Sequence, residues 1–230
     1  MTGIYEAHPI SVFIVALAML MTPFWIVATY AFSGADLRKG AILGGLWALF
    51  GALMLCVCLW DVPGGLGLAG NLIVLVAWLV PSGLLVAFRR WALAEPLSQR
   101  WLVALQLWRV IGGVFLIEMA RGNVAAVFAW PAGIGDILAG LLALVVLLAS
   151  RKMPSIPAGM VVAVAVFGIA DFVSALFFGV TSSNSPANLF PQDTPSRLID
   201  FPSGMIPLFL VPFAIFFHTL SLLELRRNRP

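Results

Sequence analysis

Charge is what this chain has least of. Charged residues make up 10% of its 230 residues against 62% hydrophobic ones, and the mean hydropathy is +1.06. A soluble domain carries about 25% charged residues, so this chain lacks the means to solvate a surface. Lysine is nearly absent: Lys39 and Lys152 both fall in expected loops, which excludes a pigment such as retinal held by a Schiff base inside the membrane. Histidine is limited to His8 and His218, at opposite membrane ends, which excludes a three-histidine zinc site and a bis-histidine haem and leaves only a single axial ligand from His218 conceivable. Cys56 and Cys58 point to different helix faces and make no Cys-x-x-Cys redox pair; grouping them with His8 and Asp61 as a metal set has no ligand spacing behind it. No cofactor is expected.

Apolar residues, by contrast, come in runs of about 20 or more, long enough to cross a hydrocarbon core of roughly 30 Å as helix. Seven runs are expected to span: Ile10–Phe32, Ala41–Trp60, Leu66–Phe88, Trp101–Ala120, Trp130–Ala149, Ala158–Val180 and Phe201–Leu223. Each is apolar all round, whereas a barrel strand would alternate. The expected fold class is therefore an all-α membrane protein, one transmembrane domain of seven helices with the lipid bilayer as its partner. The first run, with Ala31-Phe32-Ser33 at its end, has some likeness to a signal peptide, but it is too long and no Lys or Arg precedes it, so a retained helix is expected.

Basic residues set the orientation, because Lys and Arg are retained on the cytoplasmic side. Arg38 and Lys39 follow the first run, Arg89, Arg90 and Arg100 the third, Arg151 and Lys152 the fifth, and Arg226, Arg227 and Arg229 the seventh; the other side has Arg121 and Arg197. The N-terminus is expected outside and the C-terminus in the cytoplasm of a bacterial inner membrane. The same dispersed charges account for the pI near 9.3, and no nucleic-acid role is indicated.

Loops are short except residues 181–200, a polar, proline-bearing outer connector that could also contact a ligand. "RRWALAEPLSQR" (89–100) reads as an interfacial linker broken at Pro96. Repeated "LVP" (79–81, 210–212) and "FG" (50–51, 167–168) suggest a 3+1+3 pseudo-repeat of helices. A sharper echo joins "GIGDILAGL" (133–141) to "GIADFVSAL" (168–176). Ala132, Gly133, Asp136, Ala139, Gly140 and Ala143 make one stripe, and Gly168, Asp171, Ser174 and Ala175 another. Small stripes let helix backbones approach, so both aspartates are expected in protein-facing seams.

A charge at mid-bilayer costs roughly 2.5–3.5 kcal/mol on insertion scales and survives only with partners or water. Arg109, Glu118, Asp136 and Asp171 lie within runs, with Gln106 and His218 beside them in depth. At about 1.5 Å per residue, Gln106 and His218 lie ~7 Å, Arg109 ~12 Å and Asp171 ~19 Å from the cytoplasmic ends, with Asp136 ~9 Å below the outer end. Two layers are expected: Gln106, Arg109 and His218 inside, the two aspartates above. Gln106, Arg109, Gly112 and Gly113 share a helical face. Glu118, nine residues from Arg109, falls on the opposite side and is expected to pair with Arg121 near the outer surface.

Two readings of Arg109 stand side by side. In one it is a static pair with Asp171 or Asp136 that fixes helix register. In the other, two carboxylates above an arginine and a histidine form a titratable path for a proton or small solute, with His218 otherwise a packing residue. A membrane binding protein, sensor or subunit holding a lipid, quinone or pigment among its aromatics is the alternative class. A membrane enzyme ranks third, because no nucleophile with a base is found: Ser203 and His218 are fifteen residues apart on one helix. Gly65, Gly67 and Gly70 match a dinucleotide glycine pattern but follow no strand.

The stretches "QLWRVIGGVFL" (106–116), "FAWPAGIGDILAGL" (128–141) and "FPSGMIPLFLVPFAIFFHTLSL" (201–222) resemble a group of bacterial integral membrane proteins described as hypothetical. The resemblance covers the second half of the chain best. It implies that Gln106, Arg109, Asp136 and His218 occupy recurring positions of that group, and it implies no activity.

Overall fold

The computed structural model describes residues 6–62, 68–182, 187–191 and 198–227. Gly65 and Gly67 of the glycine pattern, Arg197 with much of the outer loop, and Arg229 lie outside the described residues. Among the described residues, seven helices are long and apolar enough to cross a membrane: Pro9–Ser33, Leu37–Leu59, Ala69–Ala87, Gln99–Ala120, Ala126–Ala149, Ala158–Thr181 and Ile206–Arg227. The chain is an all-helical, multi-pass membrane protein. Large apolar side chains such as Phe13, Leu20, Phe24, Leu49, Leu72 and Val145 point outward, as lipid-facing residues must.

Local chemistry moves several boundaries away from the sequence expectation. The second span begins at Leu37, earlier than Ala41, because Asp36 caps it by accepting from the Arg38 N–H at 2.9 Å. The first span ends at Gly34, whose φ of 67° is the left-handed conformation that glycine adopts without strain. The fifth span starts at Ala126 and carries Pro131 inside it. The seventh starts at Ile206 instead of Phe201 and opens with a π-helical turn, Ile206–Leu210, that contains Pro207. In the linker, Arg89–Ala92 form one short helix before the chain breaks.

The seventh span is the hub of the bundle. Its helix packs on the third, fourth and sixth spans, and its π turn meets the first, second and third. Phe209, Phe213, Phe216 and Phe217 are buried there. Trp47 makes edge-on contacts with Phe209, Phe213 and Phe216 at centroid distances of 5.3–5.6 Å. Gly51 of the second span faces Phe209, where a β-carbon would sit 3.0 Å from the ring. The fifth span lies to one side, against the fourth and sixth. There Gly133 faces Leu116, and Gly140 faces Val110 and the Leu107 carbonyl.

Polar contacts sort the two ends of the bundle. At one end Lys39 pairs with Glu95 at 2.8 Å, Arg100 donates to the carbonyls of Ser150 and Met153, and Arg227 donates to the Leu93 carbonyl at 2.9 Å. The four basic segments therefore gather at one end. At the other end the His8 N–H donates to Glu118, the Asn123 side chain reaches Glu6, and Cys58 donates to the Ile199 carbonyl.

Glu95 lies in the linker outside the spans. The Lys39 ammonium, helped by the Asp36 N–H, holds its carboxyl below the ordinary carboxylate range. A lowered acid favours the folded state above its unfolded pKa of about 4.3 and loses that contribution as the pH falls through the depressed value. Glu95→Gln should thus melt below wild type at pH 7, with the gap closing under acid. The gap should also shrink in high salt, because the side chain is half-exposed. Thermal unfolding in detergent at graded pH measures it.

Candidate functional site: an intramembrane arginine shared by two aspartates

The fourth span supplies the centre of the site through an irregular stretch. It runs as α-helix over Gln99–Ala104, tightens to a 3-10 helix over Leu107–Gly113, and resumes as α-helix over Val114–Ala120. A 3-10 helix has three residues per turn, so residues i and i+3 eclipse. Gln106, Arg109 and Gly112 therefore share a face, but Gly113, expected to join them, turns away toward Ile137. No proline causes the tightening. The adjacent glycines Gly112 and Gly113, which hold an α-turn weakly, are the signal that could have announced it.

Arg109 is wholly buried between three helices. Its Nε and Nη2 donate to Asp136 Oδ1 of the fifth span at 2.9 and 2.7 Å, and Nη2 also donates to Asp171 Oδ2 of the sixth at 2.5 Å. The guanidinium carbon lies 4.0 Å from the Phe172 ring centre, a cation–π contact on its remaining face. The two-layer picture is corrected here. The long arginine side chain closes the gap in depth, so cation and carboxylates form one layer, with His218 of the seventh span beside them.

Glycines make this crowding possible. A side chain on Gly112 would strike the Asp136 carboxylate, one on Gly135 would strike the Asp171 carboxylate, and one on Gly168 would strike both His218 Nε2 and Arg109 Nη1. Each polar group thus occupies the volume that a neighbouring helix leaves by lacking a β-carbon. The stripe Ala132, Gly133, Asp136, Ala139, Gly140 and Ala143 is buried throughout, as its spacing indicates. On the sixth span Gly168 and Asp171 are buried but Ser174 and Ala175 only partly so. Gly135, outside the stripe, belongs to the site and was missed by spacing alone.

Two nitrogens of the cluster, Arg109 Nη1 and His218 Nε2, are buried without a protein partner and converge over Gly168. Gln106, one 3-10 turn before Arg109, is also buried, with its Oε1 unpartnered. The Arg109 side chain is 0% exposed, while those of Asp136 and Asp171 keep 11% and 7%. Of the ion-paired groups, only the carboxylates keep some exposed surface. With both ionised, one guanidinium faces two negative charges.

Glu118 stands apart from this cluster, and its expected pair with Arg121 does not form. Its carboxylate is fully buried and accepts from the His8 N–H at 3.1 Å and from Asn123 Nδ2 at 2.8 Å, while Arg121 is exposed. Asn123 was not foreseen because the turn after Ala120, with Gly122 at φ 75°, folds it back onto the span. Glu118 thus fastens the N-terminal segment to the fourth span. Among the described residues no three His, Cys, Asp or Glu side chains group as metal ligands.

With the geometry in place, comparison with known proteins adds a family. The chain belongs to the family described as Domain of unknown function (DUF8737). The match covers residues 68–226. It takes in the third to seventh spans and with them Arg109, Asp136, Asp171 and His218, while the first two spans fall outside it. The DUF8737 region therefore coincides with the hub helix and everything that surrounds the buried cluster. No curated protein and no solved structure matches the chain.

Three expectations follow. Arg109→Gln leaves two buried carboxylates facing each other and should cost about 3–5 kcal/mol of stability, read as a large drop in melting temperature in detergent. Gly135→Ala should cost about 1–3 kcal/mol by displacing Asp171. Gly83→Ala, on a helix position with nothing within 4 Å, should be neutral or slightly stabilising.

Proposed function

We propose that this chain is a multi-pass protein of a bacterial cytoplasmic membrane, N-terminus outside and C-terminus inside, that moves a small solute in step with a proton. The observation that carries this reading is the sharing of Arg109 Nη2 by Asp136 and Asp171. One cation balances one carboxylate, and the second requires a proton or a small cation in a medium where an unbalanced charge is costly. Asp136 and Asp171 are the exchanging groups, Arg109 the fixed counter-charge, and His218 and Gln106 the neighbouring polar contacts.

The broken helices support the same reading. Arg109 lies within the 3-10 stretch of the fourth span, and the seventh opens with a π turn between Pro202 and Pro212. In membrane transporters, binding sites lie at midplane where spans are discontinuous, because irregular backbone is tolerated only where protein or a cavity surrounds it. Mid-helix 3-10 and π segments are also common hinge positions.

A second reading, a protein that holds an apolar molecule such as a lipid, quinone or pigment, is favoured by one observation. An almost wholly apolar groove of about 420 Å³ opens between the second and third spans, lined by Ile42, Leu46, Trp47, Phe50, Leu84 and Trp91 among others. Volumes of roughly 300–1,000 Å³ suit small-molecule sites. A molecule co-purifying in stoichiometric amount, seen by native mass spectrometry, would favour this reading.

Infrared titration of the protein in lipid tests the first reading without knowledge of the solute. Wild type should show the carbonyl stretch of a protonated carboxyl whose intensity changes with pH, and Asp171→Asn should remove it. Liposomes carrying wild type should dissipate a pH gradient faster than those carrying Asp171→Asn. A carboxyl signal and a gradient decay that are both unaffected by Asp171→Asn would overturn the assignment.

A further inference from the structure

The seventh span carries a polar file that the cluster alone does not explain. His218, Ser221 and Glu224 follow one another at three-residue spacing, and all three are buried. Neighbours at that spacing stand about 5–6 Å apart at their β-carbons. Over six residues of α-helix the file covers roughly 9 Å of depth. It begins at His218 Nε2, which faces Arg109 over Gly168, and ends one turn before the exposed Arg226 and Arg227. Arg227 Nη1 lies 3.8 Å from a Glu224 oxygen and donates to the Leu93 carbonyl, which places the end of the file at the surface formed by the basic loops.

Burial makes this arrangement informative. Glu224 has no exposed surface although it is one turn from the end of a helix where a glutamate could turn outward into water. The Ser221 hydroxyl accepts from the Gln99 side-chain amide of the fourth span. Because the amide is the donor, the serine's own proton stays available to a further acceptor. Polar groups held inside a membrane bundle in sequence, from the surface to a buried charge cluster, are what a proton path requires.

We infer that protons reach the Arg109 cluster from the face bearing Arg226 and Arg227 by way of Glu224, Ser221 and His218. This rests on the proton-linked reading above and names its route. The Glu224 carboxylate takes up a proton and passes it to the Ser221 oxygen as that hydroxyl releases its own proton to the imidazole of His218. The imidazole then releases a proton from Nε2, which Asp171 takes up. Each transfer breaks one O–H or N–H bond and forms another, so no electrons change hands. Gln99 is a positioning residue, holding the serine oxygen.

A pH jump on the full chain in lipid, followed through the Asp171 carboxyl infrared band, tests the route. Glu224→Gln should leave the final amplitude of the band unchanged and slow its approach by about a hundredfold, the lower end of what a positioned proton-transfer group contributes. Glu224→Asp should restore much of the rate. Ser221→Ala should slow it as well and Ser221→Thr should rescue it, which keeps the test open if Glu224→Gln folds poorly. Wild-type rates in both Glu224→Gln and Ser221→Ala overturn the route. So does a lost amplitude in well-folded Glu224→Gln, because Glu224 would then belong to the titrating cluster. If Asp171→Asn itself leaves the band in place, the proton-linked reading fails instead, whatever the rates are.

Discussion

Everything in the second half of this bundle depends on one guanidinium that cannot reach water. Arginine stays charged in any protein environment, so burial inside a membrane bundle leaves it no neutral form to adopt. Its compensation must be built from fixed groups. Here these are two carboxylates from two other spans and an aromatic face, at 2.5–2.9 Å and 4.0 Å. The fourth, fifth and sixth spans are thus held in mutual register by directional bonds. Apolar packing between helices in lipid has no hydrophobic drive behind it and supplies such register less sharply.

The helices bend their own rules to meet that demand. The tight winding of Leu107–Gly113 stacks Gly112 directly over Arg109, and the absent side chain is the volume that the Asp136 carboxylate fills. Gly135 and Gly168 do the same for Asp171 and for the arginine and histidine nitrogens. Local helix propensity is sacrificed at three points on three spans to seat four polar groups. That is the pattern expected where function or specificity overrides local preference.

Much of this architecture is legible in the sequence, for physical reasons that differ by level. The seven spans follow from composition, because lipid imposes length and apolarity on every crossing segment. The burial of Asp136 follows from the small residues that recur at helical spacing around it. What stays hidden depends on winding and on side-chain reach. Constant 1.5 Å steps placed Arg109 and the aspartates in separate layers, whereas a long side chain on a locally rewound helix joins them. Glu118 looked like an end charge free to meet Arg121, but the turn at Gly122 offers it Asn123 and a backbone N–H instead. Glu224 was passed over because it falls beyond the expected end of the seventh run. The helix continues to Arg227 and carries the glutamate inside.

A strut and a proton site are often treated as competing explanations of a buried ion pair, yet this geometry unites them. Asp171 reaches Arg109 through a single nitrogen that Asp136 also uses, so the bond holding the sixth span to the fourth is the one most easily altered by a change of charge on one carboxylate. Neutralising Asp171 removes the attraction between those spans and leaves the two contacts to Asp136 intact. The fifth span would then stay bonded to the fourth, while the sixth would keep only its packing on the fifth and seventh spans. On the proton-linked reading, the arginine that holds three helices in register would also make its hold on one of them depend on a single proton. Such a local charge event biasing a two-position element is what couples a binding step to a movement.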